Sequence, residues 1–339
     1  MLSATCALLL ASCIGGSARD GTGTPGAASG GPSTAGPAMD PAMPETGAGE
    51  GRLPYRELEE VFDDDPTAPL GFEERSAERV DGATVYDVAY GSSRSTVPAH
   101  LVIPDGRGPF PVVLYAHGDG SSRYYFLPDA VALARAGYAG LLITGPSSRQ
   151  PYLPIGISWN ARQDVAGSVR YAVDLRRGLD VLGTLPQIDA GRIGFVGFSA
   201  GAWSGAYLAG LEDRIDAYVL MSVNRWPCPE TSCHETDVYG YGSVPPWPEL
   251  ERYLEETAVL DAEPYLAHND GAAFLFQAAR GDHAGSVATI RSLFEAAPDP
   301  KALRWYEEGH SLGCRGVHGP CPAFVPALEF HRAWLEDHV

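Results

Sequence analysis

The chain predicts an α/β protein built on a doubly wound, mostly parallel sheet with an antiparallel N-terminal edge. Three observations predict it. Asp81-Gly82 stands between two strand-like stretches, a two-residue hairpin signal, so the sheet begins antiparallel. From Pro111 onward, short apolar runs alternate with helix-length stretches, the pattern of parallel strands joined by helical crossovers. Residues Arg192 to Gly201 (RIGFVGFSAG) read as an apolar strand entering a Gly-x-Ser-x-Gly turn, followed by a small-residue helix from Ala202 to Leu211.

The first fifty residues stand apart from that fold. Residues 1–13 hold a short apolar run, too short to span a bilayer and shaped like an export signal. The end of that run, Leu10-Ala11-Ser12-Cys13, resembles the lipobox of bacterial lipoproteins. That likeness implies a lipidated Cys13 and an envelope location, with plain secretion as the alternative. Residues 14–52 are rich in Gly, Pro, Ser, Thr and Ala without apolar periodicity. Such a composition cannot offset its own ordering entropy, and it predicts a tether. Residues 53–339 are then the folded domain.

Within the domain, a helical turn is expected near Arg56–Val61, then strands over Phe72–Val80, Ala83–Tyr90 and Val97–Ile103. A strand over Pro111–Ala116 precedes a helix near Asp129–Ala136 and a strand over Tyr138–Thr144. A long helix is expected from Asn160 to Leu182, followed by the Arg192 strand and its helix. Strands follow over Ala217–Ser222, Ala273–Gln277 and Leu303–Tyr306, with helices near Gly285–Ala296 and Ala323–Asp337. Between 224 and 263 the alternation lapses into Pro, Trp, Tyr, Gly and Cys, with one helix near Pro248–Thr257. An insertion there is expected to act as a partial lid or pocket wall.

The formal charge of −19 excludes nucleic acid and anionic membrane as main partners, because both need positive potential. Membrane contact is expected only through a lipid at Cys13. The chemistry points elsewhere. A serine hydroxyl becomes nucleophilic when a base takes its proton and an acid orients that base. Ser199 lies in the turn after its strand, where a sharp bend lifts the hydroxyl above the sheet. Asp282 follows the Ala273 strand, and His310 follows the Leu303 strand. Both therefore fall past strand ends, where catalytic groups gather in open α/β sheets. Asp270 and Asp299 precede their strands and fall at the wrong end of the sheet. Negative charge on an acyl oxygen needs preorganised N–H donors. The expected donors are the amides of Ala200 and of Asp119 in the loop His117-Gly118-Asp119-Gly120, with Gly120 as the alternate. His117 is expected to support this loop without moving a proton.

Together, His117-Gly118-x-Gly120, Gly197-x-Ser199-x-Gly201, Ala279-x-x-Asp282 and Gly309-His310 resemble the α/β-hydrolase superfamily. The likeness is strongest to its dienelactone-hydrolase-like and prolyl-oligopeptidase-like esterases. It spans about Ala83 to Val339 and implies a Ser-His-Asp hydrolase of small-molecule carboxylic esters that needs no cofactor. Dienelactone hydrolases use a cysteine nucleophile, so Ser199 argues against their reaction. The same layout serves serine peptidases of the prolyl-oligopeptidase type, although residues 52–110 are too few for their propeller domain. A binding protein on an inactive hydrolase scaffold is a third reading.

Four cysteines fall in the insertion and after His310: Cys228, Cys233, Cys314 and Cys321. An even number in an exported domain predicts disulfides. Local pairs 228–233 and 314–321 are preferred over crossed links, and the spacings match no common zinc pattern, so no metal is expected. Arg123, Arg149 and Arg225 follow strands and could bring positive charge to the pocket mouth, although solvated surface positions are the commoner fate of such residues.

Overall fold

The computed structural model describes residues 54–92, 95–225, 245–246, 248–282, 285–307, 309–312 and 325–339. The expected signal and tether, Cys13 and the four candidate disulfide cysteines lie outside the described residues, as does most of the insertion's first half.

The domain begins with α1 (Tyr55–Glu60), β1 (Glu73–Val80), β2 (Ala83–Ser92), β3 (Ser95–Pro104) and β4 (Phe110–Ala116). Alternation follows through α2 (Leu127–Ala134), β5 (Ala139–Ile143), α3 (Ala161–Thr184), β6 (Ile188–Phe198), α4 (Ala200–Leu211) and β7 (Ala217–Met221). The chain closes with α5 (Glu249–Glu256), α6 (Glu263–His268), β8 (Ala273–Ala279), α7 (Val287–Ala296), β9 (Lys301–Tyr306) and α8 (Val325–His338).

The strands form one sheet in the order β1-β2-β3-β5-β4-β6-β7-β8-β9. Pairings among β1, β2, β3 and β5 are antiparallel, and those from β5 through β9 are parallel. The outer strand β1 reads EERSAERV and is exposed along nearly its whole length. Its charges guard a free edge against pairing with another chain. The central strands are apolar on both sides because both faces are covered. In β4, Val112, Leu114 and Ala116 enter the core shared with α3 and α4, whereas Val113 and Tyr115 enter the core shared with α2 and Leu335 of α8.

Two differences from the sequence reading have physical causes. The strand β6 begins at Ile188, four residues before Arg192, because Ile188 pairs with Phe110 across an irregularity in the ladder. The polar residues between them hid the continuation. The helix α6 was not expected, since six residues starting Glu-Pro are too few to show a helical period.

One topological feature locates the site. From β4 the chain crosses outward to β5 and then returns to place β6 on the other side of β4. Where strand order reverses this way, the loops at the carboxyl ends part and leave a crevice. The loops after β4 and β6 are the His117–Gly120 loop and the Ser199 turn.

Candidate active site

Ser199 joins β6 to α4 with φ 54° and ψ −120°, a left-handed backbone conformation unusual for a residue with a side chain. Two backbone bonds hold it there. Its N–H donates to the Met221 carbonyl (2.9 Å), and its carbonyl accepts from Trp203 N–H (3.0 Å). The helix α4 must also pass directly over β4, and Gly201 permits this: a Cβ at that position would overlap the Ala116 carbonyl oxygen. The strained turn leaves the Ser199 hydroxyl facing the crevice.

Asp282 and His310 meet that hydroxyl. The His310 Nδ1 lies 3.0 and 2.9 Å from the two Asp282 carboxylate oxygens, and its Nε2 lies 2.9 Å from Ser199 Oγ. An ionised carboxylate can only accept, so Nδ1–H donates to it and the Nε2 lone pair faces the serine hydroxyl. The Asp282 carboxylate is sealed from solvent, whereas the imidazole keeps 15% exposure toward the crevice. Ser222, just past β7, steadies the histidine from behind. Its hydroxyl donates to the His310 carbonyl (2.6 Å), its N–H donates to Gln277 O (2.7 Å), and its own φ is 50°. Nothing in the sequence singled out Ser222, because its partner is a backbone atom 88 residues away.

The loop after β4 is braced by His117. The Gly145 N–H donates to His117 Nε2 (2.8 Å), so the ring proton sits on Nδ1 and donates to the Gly118 carbonyl (2.7 Å). The hydroxyl of Tyr171 donates to the His117 carbonyl (3.1 Å). Burial pushes the His117 imidazole down to about 4, which keeps it neutral. It is a brace between the tips of β4 and β5, as its sequence context indicated.

A cavity of about 150 Å3 opens over Ser199, lined by Gly118, Asp119, Ile155, Gly156, Ile157, Phe198, Ala200, Trp203 and His310. Ala200 begins the twelve-residue helix α4, where unpaired N–H groups and the helix dipole favour negative charge. Ala200 and Asp119 both border the cavity, and Gly120, with φ +68°, is not among its lining residues. The wall at Ile155–Ile157 comes from the irregular segment before α3. Among the described residues, none of the 224–263 insertion lines the cavity. The segment was missed because it carries no period, and only its end was marked, by the Asn160 cap of α3, whose side chain accepts from Gln163 N–H.

The three arginines do not behave as solvated surface residues. Arg123 pairs with Asp87 (3.1 Å), and Arg225 pairs with Asp261 (2.9 Å) and Glu263 (2.8 Å). Arg149, 5% exposed, pairs with the fully buried Asp174. All three hold elements together. Three other histidines are engaged away from the cavity. His268 stacks on Tyr55, His331 bonds to Asp129, and His338 Nδ1 bonds to the Trp334 carbonyl. Among the described residues, no cluster of three or more His, Cys, Asp or Glu is arranged to hold a metal.

The fold is the α/β-hydrolase fold. The chain is similar to acetyl xylan esterase from Paenibacillus sp. R4, with TM-score 0.68 and 18% identity over 84% of this chain and 93% of that one. It is also similar to acetyl xylan esterase 1 from Thermoanaerobacterium sp. JW/SL YS485, with TM-score 0.64 and 15% identity over 84% and 99%. Dienelactone hydrolase from Anabaena variabilis aligns with TM-score 0.52 and 19% identity over 76% and 100%. At these identities the likeness is one of fold. No protein-family model matches the chain.

Proposed function

We propose that this protein is a serine hydrolase that cleaves carboxylic esters through an acyl-enzyme. The observation that carries the reading is the hydrogen-bonded chain Asp282–His310–Ser199, ending on a hydroxyl in a strained turn at the mouth of a cavity. In this mechanism Ser199 Oγ attacks the acyl carbon while His310 Nε2 takes its proton. The Asp282 carboxylate keeps the proton on Nδ1 and stabilises the imidazolium. The amides of Ala200 and Asp119 donate to the oxyanion. His310 then protonates the departing alcohol, and a water activated by the same Nε2 releases the acid. No cofactor is required for any of these steps.

The fold neighbours titled acetyl xylan esterase agree with a small acyl group. We further propose that the protein is exported and carries its lipid at Cys13. The deciding measurement is turnover of p-nitrophenyl acetate with fluorophosphonate labelling. Wild type should hydrolyse the ester and be labelled at Ser199, and Ser199→Ala should do neither. A wild type that resists the probe would move the reading to a binding protein on a hydrolase scaffold. Faster cleavage of a peptide p-nitroanilide than of the ester would move it to a peptidase.

A further inference from the structure

We propose that the segment Pro154–Trp159 is the acyl-size-selecting wall of the cavity, and that Gly167 and Asp164 of α3 are the positioning residues that seat it. The inference rests on the ester-hydrolase reading and names the part of the chain that chooses among esters.

Ile155, Gly156 and Ile157 line the cavity, and both isoleucines are almost wholly buried. His310 must reach the departing alcohol in order to protonate it, which leaves the apolar wall for the acyl group. Yet this wall has no regular secondary structure, so a hydrogen-bond ladder does not set its position. Two contacts with α3 do so instead.

The first is steric. The Pro154 carbonyl rests directly on the helix at Gly167, where a Cβ would overlap that oxygen outright. Only glycine lets the wall lie so close to α3. The second is polar. The Asp164 carboxylate accepts from Ser158 N–H (3.0 Å), from the Ser158 hydroxyl (2.5 Å) and from the Tyr253 hydroxyl (2.6 Å). Asp164 is 1% exposed, so these donors are what satisfies it. Between them, Trp159 takes φ 60° and packs edge-on against Tyr253, with ring centroids 5.2 Å apart. A non-glycine residue holds such a conformation only when its surroundings impose it. Tyr253 belongs to α5, so the same carboxylate ties the wall to the helix of the insertion. The cavity lies on one side of the segment and α3 on the other. Pushing the segment off α3 therefore narrows the cavity, whereas releasing its polar clamp loosens the wall and weakens its discrimination between acyl groups.

The test compares kcat/KM for p-nitrophenyl acetate and p-nitrophenyl butyrate, with active sites counted by fluorophosphonate labelling. Wild type should prefer the acetate. Gly167→Ala should raise the acetate-to-butyrate ratio, and Asp164→Asn should lower it, because an amide cannot accept from all three donors. Each shift should be about tenfold, the scale on which a pocket discriminates single methylenes. A general loss of folding lowers both rates together and leaves the ratio unmoved, so the ratio reports the wall. Should Gly167→Ala fail to fold, Asp164→Asn and Tyr253→Phe decide, both lowering the ratio. Ratios within twofold of wild type in the folded variants, or shifts of the same sign for Gly167→Ala and Asp164→Asn, overturn the assignment while the hydrolase reading stands. A wild type inert toward both esters overturns the two together.

Discussion

Ser199 has a backbone conformation that costs about 1–3 kcal/mol for a residue with a side chain. Its two backbone bonds and the close passage of α4 over β4 over-determine it, so the strain persists and the hydroxyl stays raised. At this scale the proposed triad has a sharp consequence. Asp282→Asn should keep the fold but reduce kcat by a factor on the order of 10^4, because the amide stabilises the wrong imidazole tautomer. Steady-state kinetics on p-nitrophenyl acetate checks this, with KM little changed. His117 offers a second prediction, on stability. Its folded value near 4 lies below the ordinary histidine value of 6.5, so the unfolded chain binds the proton first as pH falls. Stability is therefore full above about pH 6.5 and declines toward pH 4. The loss from this ring alone should be about 2–3 kcal/mol between pH 7.5 and 4.5. His100, pushed down to about 4 by burial, acts in the same direction. Urea midpoints of wild type and His117→Asn at the two pH values measure the His117 share, and the variant's loss should be smaller by that amount.

Elements are fastened to one another by buried charge in several places, and these do more than the exposed pairs. Asp129 of α2 bonds to His331 Nε2 (2.9 Å) and Arg332 Nε (2.6 Å) of α8, clamping the final helix beside α2. Removing the carboxylate leaves a buried histidine and a partly buried guanidinium without their acceptor. Asp129→Ala should therefore lower unfolding stability by about 3–5 kcal/mol. The exposed pair Arg135–Asp81 provides the contrast, and Asp81→Ala should cost less than about 1 kcal/mol. Denaturant titration at pH 7.5 distinguishes them. Element type was largely legible in the chain, because apolar runs and amphipathic periods survive tertiary packing. The strands β2, β4 and β7 and the helices α3 and α4 fall within a few residues of their predicted ranges. The helix α6 and the start of β6 escaped, one through brevity and the other through its polar text.

The sheet as a whole converts separate signals into one site. Ser199, Asp282 and His310 span 111 residues of sequence, yet β6, β8 and β9 lie close enough in strand order to bring their loops together. The crevice falls where the order reverses beside β4, and this places the His117 loop opposite the serine turn. If residues 1–52 are the expected signal and tether, a chain beginning at Leu53 should match the full domain in ester turnover and in thermal midpoint. In cells, Cys13→Ser should abolish incorporation of labelled palmitate. Retained label would place the lipid elsewhere, and a lowered midpoint in the shortened chain would give the first residues a part in the fold.

The class of fold was legible in the sequence alone, and the proposed triad was read from it by the same local rules. Local rules suffice for both: a strand entering a glycine-flanked serine, and an acid and a base each just past a strand. Tertiary structure alone decided what the triad faces. The Ile155–Ile157 wall, the Ser222 brace on His310 and the ion pairs of Arg123, Arg149 and Arg225 join residues far apart in the chain or lie in segments without a period. No local pattern encodes such contacts, because their energy comes from burial and close approach that exist only once the sheet has assembled.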